Sequence, residues 1–256
     1  METLVPRRLK LAAKRASRAN PRQARNVPEN VLPFVRSRET DTPHTITILP
    51  KSLAQESYLE ALEAPQNAIV IATGPAGTGK THVATLFAIQ SFLAGTFKKI
   101  IITRPVVSVD EQLGFLPGTM LEKMQPWIVP IIDVFKEHFS VQAVETMLRK
   151  EQIEVIPLSF IRGRTFKNAI IICDEMQNSL PSQMVAALTR IGENSRIIVT
   201  GDLQQTDRGT TKNGLFDFVD RLANKGGSDK IAICNFTTHD IERHPVIEEV
   251  LRLYND

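Results

Sequence analysis

A glycine-rich segment at positions 74–81 contains the residue types needed to hold a polyphosphate. Its sequence is GPAGTGKT, which fits the pattern G-x-x-x-x-G-K-[ST] and lies between an apolar run and a helical one. Glycines let backbone N–H groups surround phosphate oxygens, and the helix that follows adds the positive end of its dipole. Lys80 would reach the β- and γ-phosphates, and the Thr81 hydroxyl would ligate Mg²⁺. The alternative, a plain glycine-rich turn, gives no reason for a lysine directly after the last glycine.

Two further polar segments follow apolar runs and would complete such a site. The run at 170–173 leads into Asp174 and Glu175, and the run at 196–200 leads into the loop that holds Gln205. Asp174 would ligate Mg²⁺ through water, and Glu175 would act as the general base toward an attacking water. Gln205 would hydrogen-bond the terminal phosphate or that water. By itself, each segment could also be an ordinary polar turn at the end of a strand.

Strand-like and helix-like segments alternate, which predicts a doubly wound, mostly parallel α/β sheet with helices on both faces. The predicted strands are Ile- and Val-rich runs at 68–72, 99–103, 153–157, 169–174, 196–200 and 230–235. The predicted helices cover 52–62, 80–94, 128–139, 141–149, 181–190, 215–222 and 241–254. Because parallel strands end at one edge of such a sheet, the three polar segments are expected to meet there.

Length and charge suggest one folded domain with a basic extension. The chain has 256 residues, and we expect a mostly disordered arm over 1–45 and a domain over 46–256. Residues 1–25 hold eight Arg and Lys side chains against one acid, Glu2, which is typical of a contact to nucleic acid. A solvated tail without a partner is the alternative.

Targeting and redox features point to the cytoplasm. No apolar run approaches the length of a membrane span, and no apolar stretch follows the basic N-terminus as a secretory signal requires. Cys173 and Cys234 lie in separate apolar runs, which predicts reduced thiols rather than a disulfide or a metal site. We therefore expect a cytoplasmic protein without a membrane segment.

Seven segments in order resemble the PhoH-like ATPases, which are superfamily 1 helicase-like P-loop proteins. They are GPAGTGKT at 74–81, TRPVV at 103–107, LGFLPG at 113–118, IRGRTFKNA at 161–169, IICDEMQN at 171–178, TGDLQQTD at 200–207 and HDIERHPVIEEVLRLY at 239–254. The resemblance spans about residues 50–254 and implies a RecA-like core that binds and hydrolyses ATP with Mg²⁺. It further implies a link to RNA or single-stranded DNA and to helicase-like work.

The resemblance also assigns nucleotide-binding residues. The P-loop set is Gly74, Pro75, Ala76, Gly77, Thr78, Gly79, Lys80, Thr81 and the adjoining His82. Gln55 and Tyr58 resemble the family's adenine-contacting Gln-x-x-Tyr element, and a glutamine amide offers both a donor and an acceptor to adenine. The alternative is a solvated Gln55 and a Tyr58 that packs as a helix anchor.

Several arginines compete for the role of an arginine finger. Arg104 resembles a helicase motif that contacts nucleic acid or couples to the ATP site. A finger in such motors usually comes from a second RecA-like domain, and this chain has room for only one. We therefore expect a homo-oligomeric ring, a hexamer, in which a neighbour donates the finger from one of these residues: Arg243, Arg162 or Arg164.

Two other functions remain open on the same scaffold. A small-molecule kinase would need an acceptor pocket and a lid, and Glu175, placed to activate water, argues against it. A slow regulatory switch would bind ATP, act through partner contacts and respond little to nucleic acid. A GTPase is disfavoured because the chain has no N-K-x-D element for reading guanine.

Overall fold

The computed structural model describes residues 46–105, 120–205, 213–242 and 246. The strands in these residues are β1 (Ile69–Thr73), β2 (Lys99–Arg104), β3 (Ile153–Pro157), β4 (Ala169–Cys173), β5 (Arg196–Gly201) and β6 (Ile231–Asn235). The helices are α1 (Leu53–Glu63), α2 (Lys80–Leu93), α3 (Met120–His138), α4 (Val141–Arg149), α5 (Pro181–Leu188) and α6 (Gly214–Asn224). All six predicted strands form, each within one residue of the predicted ends.

The six strands make one parallel sheet in the order β3-β2-β4-β5-β1-β6. The predicted fold class, a doubly wound α/β sheet, is therefore confirmed. Strand β5 lies between β1 and β4, so that Thr73 of β1 is level with Gly201 of β5 and Cys173 of β4 is level with Val199. The segments that follow these three strands consequently leave the sheet side by side, at the edge where open α/β sheets bind ligands.

Alternation along the strands supplies two hydrophobic cores, one on each face of the sheet. In β4, Ile170 and Ile172 pack with residues of α1, α2, α3 and α4, whereas Ile171 and Cys173 pack with α5 and α6. All five residues of β4 are buried, as a central parallel strand requires. Each fully buried isoleucine contributes roughly 1.5–3 kcal/mol, so this strand is a rigid base for the acidic residues that follow it.

Both cysteines are free thiols, as expected. Cys173 is buried, and Cys234 is partly exposed. Burial raises the pKa of the Cys173 thiol to about 12 and that of the Cys234 thiol to about 11. Since only the thiolate is a good nucleophile or metal ligand, neither side chain is suited to chemistry at neutral pH.

Two helices differ from the sequence prediction by more than two residues at their start. Helix α3 begins at Met120, whereas the prediction began it at 128. Pro126 and Pro130 lie within the helix without ending it, although proline disfavours the interior of a helix. The predicted helix over 241–254 does not begin at Ile241, which lies outside any helix. The preceding turn is closed instead, because the Asp240 carboxylate accepts from the Thr237 N–H at 2.8 Å. Of the rest of that prediction, Val246 is helical, and 243–245 and 247–254 lie outside the described residues.

Helix α1 is held at both ends. Ser52 is the N-cap, and its hydroxyl accepts from the Gln55 N–H at 3.2 Å. At the other end Arg196 donates to the carbonyl oxygen of Ala64 at 2.9 Å and to that of Leu62. The helix that carries Gln55 and Tyr58 is therefore fixed against the sheet.

Among the described helices, none is both long and apolar enough to pass through a bilayer.

Candidate functional site

The glycine-rich loop leaves β1 through a position that only glycine can occupy. Gly74 has a φ of 140°, and a Cβ there would lie 2.3 Å from the carbonyl oxygen of Phe236. The loop therefore turns directly over the end of β6. It reaches the first residue of α2 through Gly79, whose φ is 82°. This is the loop-to-helix geometry that binds phosphate at a helix N-terminus.

Lys80 lies within the curve of this loop. Its Nζ donates to the carbonyl oxygens of Gly74 at 2.7 Å and Pro75 at 2.6 Å, and to the Thr78 hydroxyl at 3.2 Å. Burial lowers the Lys80 pKa. Three carboxylates act in the opposite direction on this pKa, namely Asp202, Glu175 and Asp174. The Lys80 ammonium thus donates to oxygen atoms of the loop, and phosphate oxygens could accept from the same N–H groups. The cradle therefore fits a polyphosphate.

The Asp174 carboxylate lies against the first turn of α2. Its Oδ1 accepts from the hydroxyl of Thr81 at 2.7 Å and from that of Thr200 at 2.6 Å. Its Oδ2 lies 3.5 Å from Nη1 of Arg104, which also donates to the Trp127 carbonyl oxygen at 3.4 Å. Mg²⁺ prefers hard oxygen ligands. The adjacent oxygens of Thr81 and Asp174 therefore fit the predicted metal site.

Glu175 is held in position by Gln177, a residue that sequence analysis did not single out. Glu175 has a φ of 53°, an unusual backbone conformation for glutamate. The Gln177 amide donates to Glu175 Oε2 and accepts from the Asp202 N–H at 3.2 Å. One side chain thus links the segment after β4 to the segment after β5. The signal in the sequence was only that Gln177 lies two residues beyond the acidic pair.

The three segments enclose a cleft of about 280 Å³ at the carboxyl edge of the sheet. From the P-loop and α2 it is lined by Gly74, Ala76, Gly77, Gly79, Lys80, Thr81 and His82, and from the other segments by Asp174, Glu175, Gln177, Thr200, Gly201, Asp202 and Gln205. The structure thus brings together the predicted phosphate, metal, base and sensor residues. Pro75 and Thr78 contribute to the cradle through their contacts with Lys80.

The predicted adenine-contacting pair, Gln55 and Tyr58, does not line the cleft. Tyr58 is 0% exposed, and its ring packs edge-on against Phe236 with the ring centroids 5.7 Å apart. This position does not fit an adenine contact and matches the alternative, a helix anchor. Gln55 is also buried, at 4% exposure, so it is not solvated either. Its amide donates to the carbonyl oxygen of Thr78 on the outer side of the P-loop.

Among the arginine-finger candidates, Arg164 is already paired within its own subunit. Its guanidinium donates to both carboxylate oxygens of Glu154, at 2.6 and 3.0 Å, and lies 4.8 Å from the Phe166 ring centroid. The hydrogen bond to Glu154 raises the Arg164 pKa. Glu154 is the second residue of β3, so this pair lies toward the amino ends of the strands, away from the cleft. Arg164 would have to leave Glu154 to reach a neighbouring subunit, and its role as a finger in trans stays a prediction.

Of the other two finger candidates, only Arg162 lies within the described residues. Arg162 is exposed in the segment between β3 and β4. Arg243 lies outside the described residues. An exposed arginine is available to a neighbouring molecule, so Arg162 stays compatible with a finger donated to another subunit.

Comparison with known proteins places the chain in a family. The model of the PhoH-like protein family matches residues 47–255. The chain belongs to the PhoH-like family. A PhoH-like protein of Mycobacterium bovis is 40% identical over 209 residues, which cover 81% of this chain and 58% of that protein. A PhoH-like protein of Bacillus subtilis is 38% identical over 211 residues, covering 82% and 64% respectively.

A third PhoH relative, Protein PhoH of Escherichia coli K12, is 38% identical over 219 residues, covering 84% of this chain and 60% of the relative. The chain therefore matches somewhat under two thirds of the length of these relatives. The family match and the loop geometry agree, since this PhoH-like chain carries a P-loop at the carboxyl edge of its parallel sheet.

Two solved helicase structures resemble this PhoH-like chain weakly. Pif1 helicases at forked double-stranded DNA align with a TM-score of 0.34 and 17% identity, over 80% of this chain and 48% of that one. The DEAD-box helicase Mss116 bound to single-stranded RNA and UDP-BeF aligns with a TM-score of 0.36 and 15% identity, over 73% and 40%. The fold class rests on the sheet order of this chain itself.

Proposed function

We propose that this PhoH-like protein hydrolyses ATP with Mg²⁺, and that a homo-oligomeric ring couples hydrolysis to remodelling of RNA or single-stranded DNA. The observation that carries the ATPase proposal is the cleft itself. It places a cation, Lys80, a hydroxyl–carboxylate pair, Thr81 and Asp174, and a second carboxylate, Glu175, around one cavity. Phosphoryl transfer to water uses these groups for positioning and charge stabilisation, and an arginine finger adds further charge stabilisation.

Each residue of the cleft has a distinct task in the proposed reaction. The Lys80 ammonium exchanges the carbonyl oxygens of Gly74 and Pro75 for oxygens of the β- and γ-phosphates. Thr81 and Asp174 would hold Mg²⁺, which when bound neutralises charge on the phosphate oxygens.

The remaining two side chains act on the nucleophile. Glu175 accepts a proton from the attacking water, and its bond from Gln177 holds the carboxylate at the cleft. Gln205 lies at the same cleft and orients the water or the terminal phosphate. The site is thus arranged for transfer to water, which favours an ATPase over a small-molecule kinase.

Charge supports the nucleic-acid part of the proposal. The first 25 residues contribute eight cationic side chains, while only 6% of all residues in the chain are aromatic. Backbone phosphate contacts would therefore dominate over base stacking. Affinity built on phosphate contacts falls steeply with salt, whereas affinity built on stacking depends on salt less.

The ATPase rate with and without single-stranded RNA or DNA tests this coupling. We expect stimulation at low salt that declines as salt rises, because bound counterions are released when phosphates are neutralised. Replacing Arg7, Arg8 and Lys10 by glutamine should reduce the stimulation and leave the basal rate unchanged. A nucleic-acid-independent rate at all salt concentrations would instead support a slow regulatory switch, and phosphate transfer to a metabolite would support a kinase.

Mixing two inactive variants tests the ring with a finger in trans. Arg243→Ala should leave its neighbour's site without a finger, and Glu175→Gln should disable its own site. Because a mixed ring contains interfaces with an intact site and an intact arginine, we expect the mixture to regain turnover that neither variant shows alone. Sedimentation with an ATP analogue should show an oligomer. A strict monomer with full turnover would contradict the proposal, and recovery only with Arg162→Ala would transfer the role to Arg162.

A further inference from the structure

The P-loop is held by two residues that are far apart in the sequence and do not line the cleft. The Gln55 side-chain amide donates to the carbonyl oxygen of Thr78 at 3.1 Å. The backbone N–H of Glu242 donates to the carbonyl oxygen of Gly77 at 3.0 Å. Two consecutive carbonyls of the loop therefore have partners from α1 and from the segment after β6.

Glu242 also fixes which way the Gln55 amide points. Its Oε1 lies 3.4 Å from Gln55 Nε2, and its Oε2 forms an ion pair with Lys51 Nζ at 2.8 Å. The side-chain oxygen of Gln55, Oε1, accepts from the Lys51 backbone N–H at 3.0 Å. Both ends of the amide thus have protein partners, and the residue as a whole is 4% exposed. Both donor positions of the Gln55 amide have protein acceptors, which leaves no free donor for reading a base.

The fit between Gln55 and the loop is close. A Cβ at Gly79 would lie 2.7 Å from Gln55 Nε2, nearer than real Cβ contacts allow. Glycine at position 79 therefore serves two purposes, since it permits a φ of 82° and makes room for the amide. The glutamine and the loop could not move independently without losing this contact.

We propose that Gln55 and Glu242 form a brace that aims the P-loop N–H groups at phosphate, and that Gln55 does not read adenine. In a planar trans peptide the C=O of one residue and the N–H of the next point in opposite directions. Holding the carbonyls of Gly77 and Thr78 outward therefore turns the N–H groups of Thr78 and Gly79 toward the cleft. The proposal rests on the proposed ATPase function, because it concerns how the same site binds its substrate.

Ligands with and without a nucleobase can test whether Gln55 holds the P-loop or contacts adenine. Gln55→Glu keeps the shape but presents an acceptor to the Thr78 carbonyl and a charge to the Glu242 carboxylate. We expect calorimetry to show the affinities for Mg·ATP, Mg·GTP and magnesium-bound inorganic triphosphate falling by the same factor, about tenfold. Loss of ATP affinity with unchanged triphosphate affinity would overturn the proposal, and so would unchanged affinity for all three.

A second substitution controls for folding. In the double variant Gln55→Glu with Glu242→Gln, the amide at 242 can donate to the carboxylate at 55, so triphosphate affinity should partly return. A general loss of packing would not be repaired by this change, and thermal melting would report it. Glu242→Ala keeps the backbone N–H and should weaken all three ligands by a smaller, common factor; a selective loss of ATP affinity would overturn the brace. If the unaltered protein bound none of the three ligands, the ATPase proposal would fail before any variant was made.

Discussion

Glu175→Gln is expected to bind Mg·ATP as tightly as the unaltered protein and to hydrolyse it about 10²–10⁴ times more slowly, the usual contribution of a general base. The amide keeps the size of the carboxylate, and it cannot accept a proton from water at neutral pH. Glu175 lies at the cleft without holding the P-loop, so the phosphate-binding residues stay in place. Binding of an ATP analogue and single-turnover hydrolysis measure the two effects separately.

Glu145→Gln provides a matched control, because Glu145 is an exposed carboxylate on α4. It makes the same chemical change and should leave both binding and hydrolysis unchanged. Hydrolysis at the normal rate by the Glu175 variant would show that another group accepts the proton, and the assignment of Glu175 would be wrong.

Lys80→Met should reduce both ATP binding and hydrolysis, with turnover lower by about 10²–10³-fold, as when a preorganised charge donor is lost. Methionine keeps the apolar stem and removes the ammonium that now donates to Gly74 and Pro75. Burial already lowers the Lys80 pKa, so the cation gains most when phosphate supplies opposite charge.

Lys136→Met is the control for this substitution. Lys136 is an exposed cation on α3 that pairs only with its helical neighbour Asp133 among the contacts described for it, at 2.9 Å. Its loss should change neither affinity nor rate. If the Lys80 variant bound Mg·ATP with the normal affinity in calorimetry, the cleft would not be the phosphate site.

Much of the fold could be predicted because its signals are local. The strands are rich in isoleucine and valine, and an unbroken apolar run such as Ala169–Cys173 is typical of a strand that is buried on both faces. The boundaries of helices were less accurate. Proline at 126 and 130 is a local signal against helix, and the packing of α3 on the sheet overrides it.

The sequence by itself determined the P-loop, the acidic pair and the parallel sheet, because each is written in adjacent residues whose backbone needs are local. Only the tertiary structure decided which distant side chains meet. Gln55 and Glu242 are 187 positions apart, and Thr200 and Asp174 meet because β5 lies next to β4. A pattern cannot distinguish a glutamine that faces a base from one that holds a loop, or a free arginine from Arg164 bound to Glu154. That choice depends on which partners the strand order brings within hydrogen-bond distance.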